Sequence, residues 1–357
     1  MTAAAADMAA ARRRLYVQAM TFEGDAAGLG VARAVMQSPA ADRRVLVDDY
    51  SRFVVSDRFV YSPRHLLDPE VRAEVRSTRA MFEGLSKAGA GVRVTNPAGP
   101  LLSGFAFRNH KKLIVADDVA YLGGINFSDH NFAWRDLMLR IEDPAVGDLL
   151  AGDFEATFAG APRSWRAELA DLVLLSLDGR DNPRGFAEIL SAIDGARSEI
   201  QVVSPYLTAP FTEALARAAA RGVKVLLLTP LANNKPTVRD YLVWFARRSG
   251  FELRLTREMI HLKGLLIDGR SLVLGSSNFD FVSYWTQEEL VALVHDAGVI
   301  SDFRARVLEP MLADSLPAEA ALTAASRGRR AGALLAVAGA ILGAGLPIRR
   351  TSVAWKS

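Results

Sequence analysis

The 357-residue chain has no cysteine and only five histidines. Without cysteine, disulfides and thiolate metal sites are excluded. A large excess of charge of one sign is also missing: 43 Lys and Arg stand against 40 Asp and Glu, a net of +3. Such mild basicity permits an anionic lipid or a nucleic acid as partner and selects neither. A glycine-rich phosphate loop is missing, because Gly28-x-Gly30 has no third glycine. So is any His/carboxylate grouping with metal-ligand spacing, and any basic run interleaved with aromatics of the kind that tracks single strands. Met1 to Ala11 is Ala-rich and precedes Arg12-Arg13-Arg14. That order is wrong for a signal peptide, and a frayed terminus or a short helix is expected there. Half the residues are hydrophobic and 23% charged, an ordinary globular balance over a length that suggests two domains.

What is present is a repeat. Met259 to Asn278 reads MIHLKGLLIDGRSLVLGSSN. Two apolar runs, Leu265-Leu266-Ile267 and Leu272-Val273-Leu274, flank Asp268-Gly269-Arg270-Ser271 and predict a β-hairpin with buried strands. Residues two apart on a strand share a face, so His261 and Lys263 point the same way. The return strand brings Ser276 and Asn278 back to the end His261 left. An imidazole, an ammonium, a hydroxyl and a carboxamide then converge, a donor set that suits a phosphate. Asn109 to Asn126, NHKKLIVADDVAYLGGIN, repeats the pattern: His110, Lys112, Asp117 and Asn126 stand where His261, Lys263, Asp268 and Asn278 stand in the other copy. Trp134-Arg135-Asp136 precedes LMLRI much as Trp285 and then Glu289 precede LVALV.

Two His-x-Lys-x4-Asp motifs in one chain resemble the phospholipase D superfamily. The wording YLGGINFSD and WRDLMLRIEDP resembles its cardiolipin synthase branch. The likeness covers about residues 14 to 312. The first copy departs from the pattern twice: one residue is missing between Asp117 and Gly123, and Gly124 replaces Ser276. The hairpin turn is the expected place for the deletion, which leaves Asp117 or Asp118 to close the motif. The resemblance implies two similar α/β sandwich domains related by a pseudo-twofold, with the active site at their interface. It marks His110, Lys112, Asp117, His261, Lys263 and Asp268 as the catalytic motif residues. Asn126, Ser276 and Asn278 are the expected phosphate donors, and Asp136 and Glu289 the carboxylates that would each orient a histidine. By the same resemblance His110 is favoured as nucleophile and His261 as acid, although the residues themselves do not rank the two. Asp117 and Asp268, at the turn ends of the hairpins, read as structural. The implied reaction is phosphatidyl transfer or hydrolysis through a phosphohistidine, without cofactor or metal, since the lysines bring the positive charge. The partners implied are a phospholipid and a membrane surface, not nucleic acid. A nuclease of the same superfamily is the alternative.

Strands alternate with helices on both sides of the repeat, an α/β pattern. Strands are expected near Leu15–Phe22, Arg43–Asp48, Val92–Val94, Leu172–Leu177, Ile200–Ser204, Val223–Leu228 and Glu252–Leu255. Helices are expected near Gly28–Gln37, within Pro63–Ser86, from Pro144 to Phe158, and over Phe186–Ala196, Phe211–Ala220 and Arg239–Ser249. The domains are drawn at 1–13, 14–162, 163–315 and a tail at 316–357. His65, His130 and His295 read as surface residues, with His130 the one placed to line a cleft. In the tail, Ala331 to Ile348 gives eighteen residues without a charge, between Arg327, Arg329, Arg330 and Arg349, Arg350. Its length is at the low edge for a bilayer span. The expectation is an apolar helix that holds the chain, peripherally or as an anchor, at the cytoplasmic side of the cell membrane, so that ending the chain at Ser326 would leave both halves complete.

Overall fold

In a computed structural model, residues 2–99, 102, 104–321, 324–344 and 352–355 are described. The chain is a mixed α/β protein of two compact units. Unit 1 comprises Met1–Ala133, Leu137–Arg163 and Ile348–Ser357, and unit 2 comprises Trp134–Asp136 and Ser164–Pro347.

Unit 1 begins with helix α1 (Thr2–Ala10), β1 (Arg14–Ala19), α2 (Ala26–Gln37) and β2 (Asp42–Asp48). A small hairpin, β3 (Val54–Val55) and β4 (Arg58–Phe59), leads to α3 (Pro69–Lys87) and β5 (Gly91–Thr95). The first motif opens β6 (Leu113–Ala116), which turns into β7 (Val119–Gly123); α4 (Asp129–Ala133), β8 (Met138–Glu142) and α5 (Pro144–Phe158) follow. The caps come from sequence: the Asp68 and Asp143 carboxylates accept from first-turn N–H groups, each with proline next in line.

Unit 2 runs β9 (Trp165–Leu169), β10 (Leu172–Asp178), α6 (Asn182–Asp194), β11 (Glu199–Val203), α7 (Phe211–Ala220), β12 (Lys224–Pro230), α8 (Pro236–Ser249) and β13 (Glu252–Thr256). The second motif opens the hairpin β14 (Gly264–Ile267) and β15 (Ser271–Gly275). After it come α9 (Phe281–Trp285), β16 (Glu288–Val294), α10 (Ala297–Phe303), a π-helical turn, α11 (Glu309–Ala313), β17 (Leu316–Pro317) and α12 (Ala325–Gly343). The last strand, β18 (Ser352–Ala354), belongs to unit 1.

The repeat in sequence is a repeat in topology. Unit 1 has the sheet order β18-β5-β2-β1-β6-β7-β8; unit 2 has β17-β13-β12-β11-β14-β15-β16-β10-β9. In both, the central strand pairs in parallel with the strand after its helix and antiparallel with the motif strand. Leu113–Ala116 and Gly264–Ile267 are buried at every position. This is why the motif hairpins read as continuous apolar runs instead of alternating ones.

The tail departs from expectation. Its helix is α12, Ala325–Gly343; residues 345–348 of the uncharged run lie outside those described. Among the described residues no helix is long and apolar enough to cross a membrane. Nor is α12 an appendage, because its glycine face docks on unit 2. A Cβ on Gly328 would stand 2.2 Å from Trp244 Cβ, and one on Gly343 would stand 2.9 Å from the Trp285 ring. The Gly/Ala richness of the run therefore serves close helix packing, which a uniformly lipid-facing helix does not need. The segment after it returns to unit 1: Ser352, Val353 and Ala354 pair antiparallel with Thr95, Val94 and Arg93. Trp355 packs its ring 4.4 Å from Phe82 and beneath the Arg52 guanidinium.

Ending the chain at Ser326 is thus expected to strip an edge strand from one sheet and a packed helix from the other. Trp355→Ala alone removes part of that contact at a cost of about 2 kcal/mol. Thermal unfolding followed by circular dichroism should show a melting temperature lower by roughly 4–8 °C. An unchanged melt would mean the terminal strand adds nothing to unit 1.

Candidate active site

The second motif sits where β14 leaves its preceding loop. Residues Met259 to Leu262 are gripped there by a short segment from far upstream. Arg135 N donates to Met259 O at 3.2 Å, and His261 N donates to Arg135 O at 2.8 Å. That parallel bridge lays Trp134 and Asp136 along the motif. The Asp136 carboxylate comes 2.8 Å from His261 Nδ1, and the Trp134 ring centroid 5.6 Å from the imidazole. Both partners of the His–Asp pair are buried, with side-chain exposures of 8% and 2%.

Lys263 is wholly buried and its ammonium donates to the His261 carbonyl. Its Nζ also lies 2.7 Å from His261 Nδ1, so that ring nitrogen has two neighbours and room for one hydrogen bond. The carboxylate is the stronger claimant. A protonated Nδ1 donating to Asp136 satisfies a buried anion, whereas a bare Nδ1 would leave that anion facing a lone pair. With Nδ1–H committed to Asp136, Nε2 carries the lone pair that acid–base or nucleophilic work requires. Burial, only partly offset by the carboxylates of Asp136, Glu289 and Asp280, lowers the Lys263 ammonium to about 8.

The hairpin register places Leu274 opposite Gly264, which returns Ser276 and Asn278 to the His261 end. Asn278 is 8% exposed, and its side-chain oxygen has no hydrogen-bond partner. A buried amide end of this kind is costly unless a ligand meets it. Ser276 behaves differently from expectation. Its hydroxyl donates to the fully buried Glu289, which also accepts from Ser283 Oγ at 2.7 Å. A hydroxyl has one proton, and the carboxylate holds it, so Ser276 positions Glu289 instead of donating to a phosphate.

In unit 1 the corresponding residues are also buried: His110 at 4%, Lys112 at 0% and Asn126 at 6% exposure. Lys112 Nζ donates to His110 O at 2.6 Å, the same local contact as Lys263 makes to His261. Asn126 Oδ1 accepts from Thr21 N at 3.2 Å, which fixes the carboxamide. Asp48 at the end of β2 holds the motif's approach, accepting from Arg108 at 2.8 Å and from Asn109 N at 2.6 Å. Lys111, which stands where the other copy has Leu262, is buried in an ion pair with Asp153 at 2.8 Å.

Asp117 and Asp268 lie elsewhere. Five residues of extended chain, roughly 17 Å, separate each from its motif lysine. Both are turn residues with left-handed φ, +53° and +50°. Asp117 accepts from the backbone N–H of Arg12, Arg13 and Arg14; Asp268 accepts from those of Arg197, Ser198 and Glu199. Burial opposes ionisation of Asp268, but these donors outweigh it and hold the carboxyl down at about 2. The missing residue of the first copy falls in the turn, after Asp117, so the cap survives and Asp118 pairs with Arg13 instead. The motif aspartates anchor the entry to the central strands and do not reach the histidines' end of the sheet.

Asp48, Asp153, Ser283 and Tyr206 were not singled out by sequence. Tyr206, whose ring lies 6.2 Å from that of His261, follows a strand from which no spacing to the motif can be read. Ser283 could have been suspected from its place between Asn278 and Glu289.

The lowered Lys263 gives a pH prediction. The ammonium is charged below about 8 and neutral above it. Toward a soluble phosphodiester, whose own charge is constant, kcat/KM should fall about tenfold per pH unit once pH rises past that value. Lys263→Arg, charged throughout the range, should abolish this limb even if its absolute rate is lower. A wild-type profile flat to pH 10 would remove Lys263 from phosphate binding.

Residues 189–309 match the family described as cardiolipin synthase, PLD-like domain. Cardiolipin synthase A of Erwinia tasmaniensis is 27% identical over 241 residues, 58% of this chain and 49% of the relative. That of Buchnera aphidicola is 28% identical over 222 residues, 53% and 45% of the two chains. The chain spans about half the length of the curated relatives it matches. In fold, it resembles the phosphatidylserine synthase of Haemophilus influenzae, with a TM-score of 0.67 at 16% identity over 96% of this chain and 91% of that one. With a histidine, lysine and asparagine set in each unit, the chain is similar to the phospholipase D superfamily and, within it, to the cardiolipin synthase branch.

Proposed function

We propose that this chain is a phosphatidyltransferase or phosphodiesterase acting on phospholipids through a phosphohistidine, of the cardiolipin synthase kind. The observation that carries the reading is the buried Asp136–His261 pair with Lys263 beside it, in a chain that repeats the histidine, lysine and asparagine in its other unit. Matches to cardiolipin synthases and the likeness to a phosphatidylserine synthase fold support lipid over other phosphodiesters.

A phosphodiester anion repels nucleophiles and hydrolyses very slowly unaided. In this reading the two histidines divide the work on one phosphate. His110 attacks phosphorus through a ring nitrogen, and the P–O bond to the leaving alcohol breaks as His261 delivers its proton to that oxygen. His261 then takes a proton from the incoming alcohol or water, whose oxygen displaces His110 from phosphorus. Lys112, Lys263, Asn126 and Asn278 are the donors that stabilise charge on the non-bridging oxygens. Asp136 holds the His261 tautomer and stabilises its imidazolium; Glu289 is the second carboxylate assigned to histidine orientation.

The test incubates the purified protein separately with phosphatidylglycerol, phosphatidylethanolamine and single-stranded DNA, with products identified by mass spectrometry. Cardiolipin and glycerol from phosphatidylglycerol fulfil the reading. Phosphatidic acid as the sole lipid product would make it a hydrolase. Cleavage of DNA with both lipids intact would replace it with the nuclease.

A further inference from the structure

Unit 2 carries a groove of about 690 Å³ that the chemistry above does not use. Phe281, Tyr284 and Trp285 of α9 line one side of it, and Leu335, Ala336 and Gly339 of α12 line the other. Its size lies within the roughly 300–1,000 Å³ typical of sites for small organic ligands, and aromatic and aliphatic groups dominate its walls. Two continuous segments of chain lead to it from the second motif. One is Tyr206–Pro210: the Tyr206 ring faces His261, while Thr208 and Pro210, two and four residues on, line the groove. The other is Asn278–Trp285, which starts at the motif asparagine and ends in the groove's aromatic wall. Hydrogen bonds tie the two together: Thr208 N donates to Phe279 O at 3.2 Å, and Phe281 N donates to Thr208 Oγ1 at 2.9 Å. Two extended residues cover roughly 7 Å, a reach that the glycerol ester of a phospholipid also spans.

From this continuity we infer that the groove between α9 and α12 holds one acyl chain of the substrate lipid while its phosphate lies at His261 and Lys263. The inference rests on the phospholipid reading and names the subsite that makes the enzyme sense the lipid's tail. It gives α12 a function beyond packing. The small residues Ala336, Gly339 and Ala340 leave the space, and larger ones would close it. The opposite side of the same helix exposes Leu334, Val337 and Ile341, at 66, 60 and 58%. A helix apolar on both sides suits a place where lipid is taken up from an assembly.

The test measures binding without turnover. Dibrominated stearate, below its micelle concentration, is titrated into the full chain and tryptophan quenching recorded. Expected is saturable quenching that Trp285→Phe largely removes. In Ala336→Phe, which fills the groove from an exposed helix position, affinity should fall at least tenfold. Ala340→Phe replaces that variant if its thermal melt shows it does not fold. In parallel, monomeric phosphatidylglycerols of increasing chain length should bind about fourfold tighter per methylene added to the groove-bound chain, and this gradient should flatten in the filled variant. Quenching that is unsaturable, or equal in the filled variant, overturns the inference. The two readings fail separately. Saturable acyl binding without lipid turnover would leave the groove and remove the proposed reaction; turnover of long-chain phosphatidylglycerol with the same KM in Ala336→Phe would do the reverse.

Discussion

His110→Ala and His261→Ala should each reduce turnover of a natural phospholipid by at least about 10⁴-fold, a loss of roughly 5 kcal/mol of transition-state stabilisation. In the proposed mechanism each supplies one half of a displacement that has no alternative nucleophile or acid in either motif set. The double variant should be no worse than the poorer single one, because the two act as a unit and their effects do not add. A p-nitrophenyl phosphodiester separates the roles. Its leaving group needs no proton, so if His110 is the nucleophile, His261→Ala should release nitrophenolate in a burst and accumulate a phosphoryl-enzyme. His110→Ala should give neither. The reversed pattern would exchange the two assignments, and near-wild-type turnover of the natural lipid by either variant would defeat the two-histidine mechanism. Circular dichroism keeps the comparison fair, since both imidazoles are buried.

How much of this was legible in the sequence differs by residue. The hairpins were, because period-two geometry and two runs of apolar residues are local properties. Helix Phe211–Ala220 begins and ends where its spacing predicts, and Arg43–Asp48 needed one more residue at its start. Strands Trp165–Leu169 and Ser352–Ala354 were not foreseen. Each lies at a sheet edge, paired on one side and at most half-buried, so no continuous apolar run marks it. In the site, the types and spacing of His, Lys and Asn carried the chemistry, but the partners of the carboxylates did not follow. Asp136 lies 125 positions from His261, and its three-residue segment clusters with unit 2 although its neighbours on either side cluster with unit 1. No pattern in a linear chain announces that. Ser276 misled for the opposite reason. Hydroxyls suit phosphates, but a buried carboxylate thirteen residues on suits one better. The glycines of Ala331–Ile348 were ambiguous in themselves, since close packing on a protein and close packing in a bilayer ask for the same small residues.

Asp136→Asn should slow the reaction by about 10³-fold while leaving the fold and the motif hairpin intact. The carboxamide keeps the size and can still accept through its oxygen. Flipped, however, it donates to Nδ1, which forces the proton to Nε2 and blocks that nitrogen as a base. It also removes the charge. A carboxylate 2.8 Å from an imidazole favours the imidazolium, and losing it disfavours that form. The direction follows from the role. If His261 must be protonated to serve the leaving group, activity falls as pH rises through its value. The alkaline limb that His261 sets should therefore move to lower pH in Asp136→Asn. The Lys263 limb, near 8 in the wild type, moves the same way but less, since Asp136 is only one of three carboxylates acting on it. Scoring both in the Lys263→Arg background isolates the histidine. Asp136→Ala should match Asp136→Asn in rate if charge matters more than geometry, and be the faster of the two if the wrong tautomer is the main harm. A variant with wild-type kcat and an unshifted profile would show that Asp136 merely packs against the ring.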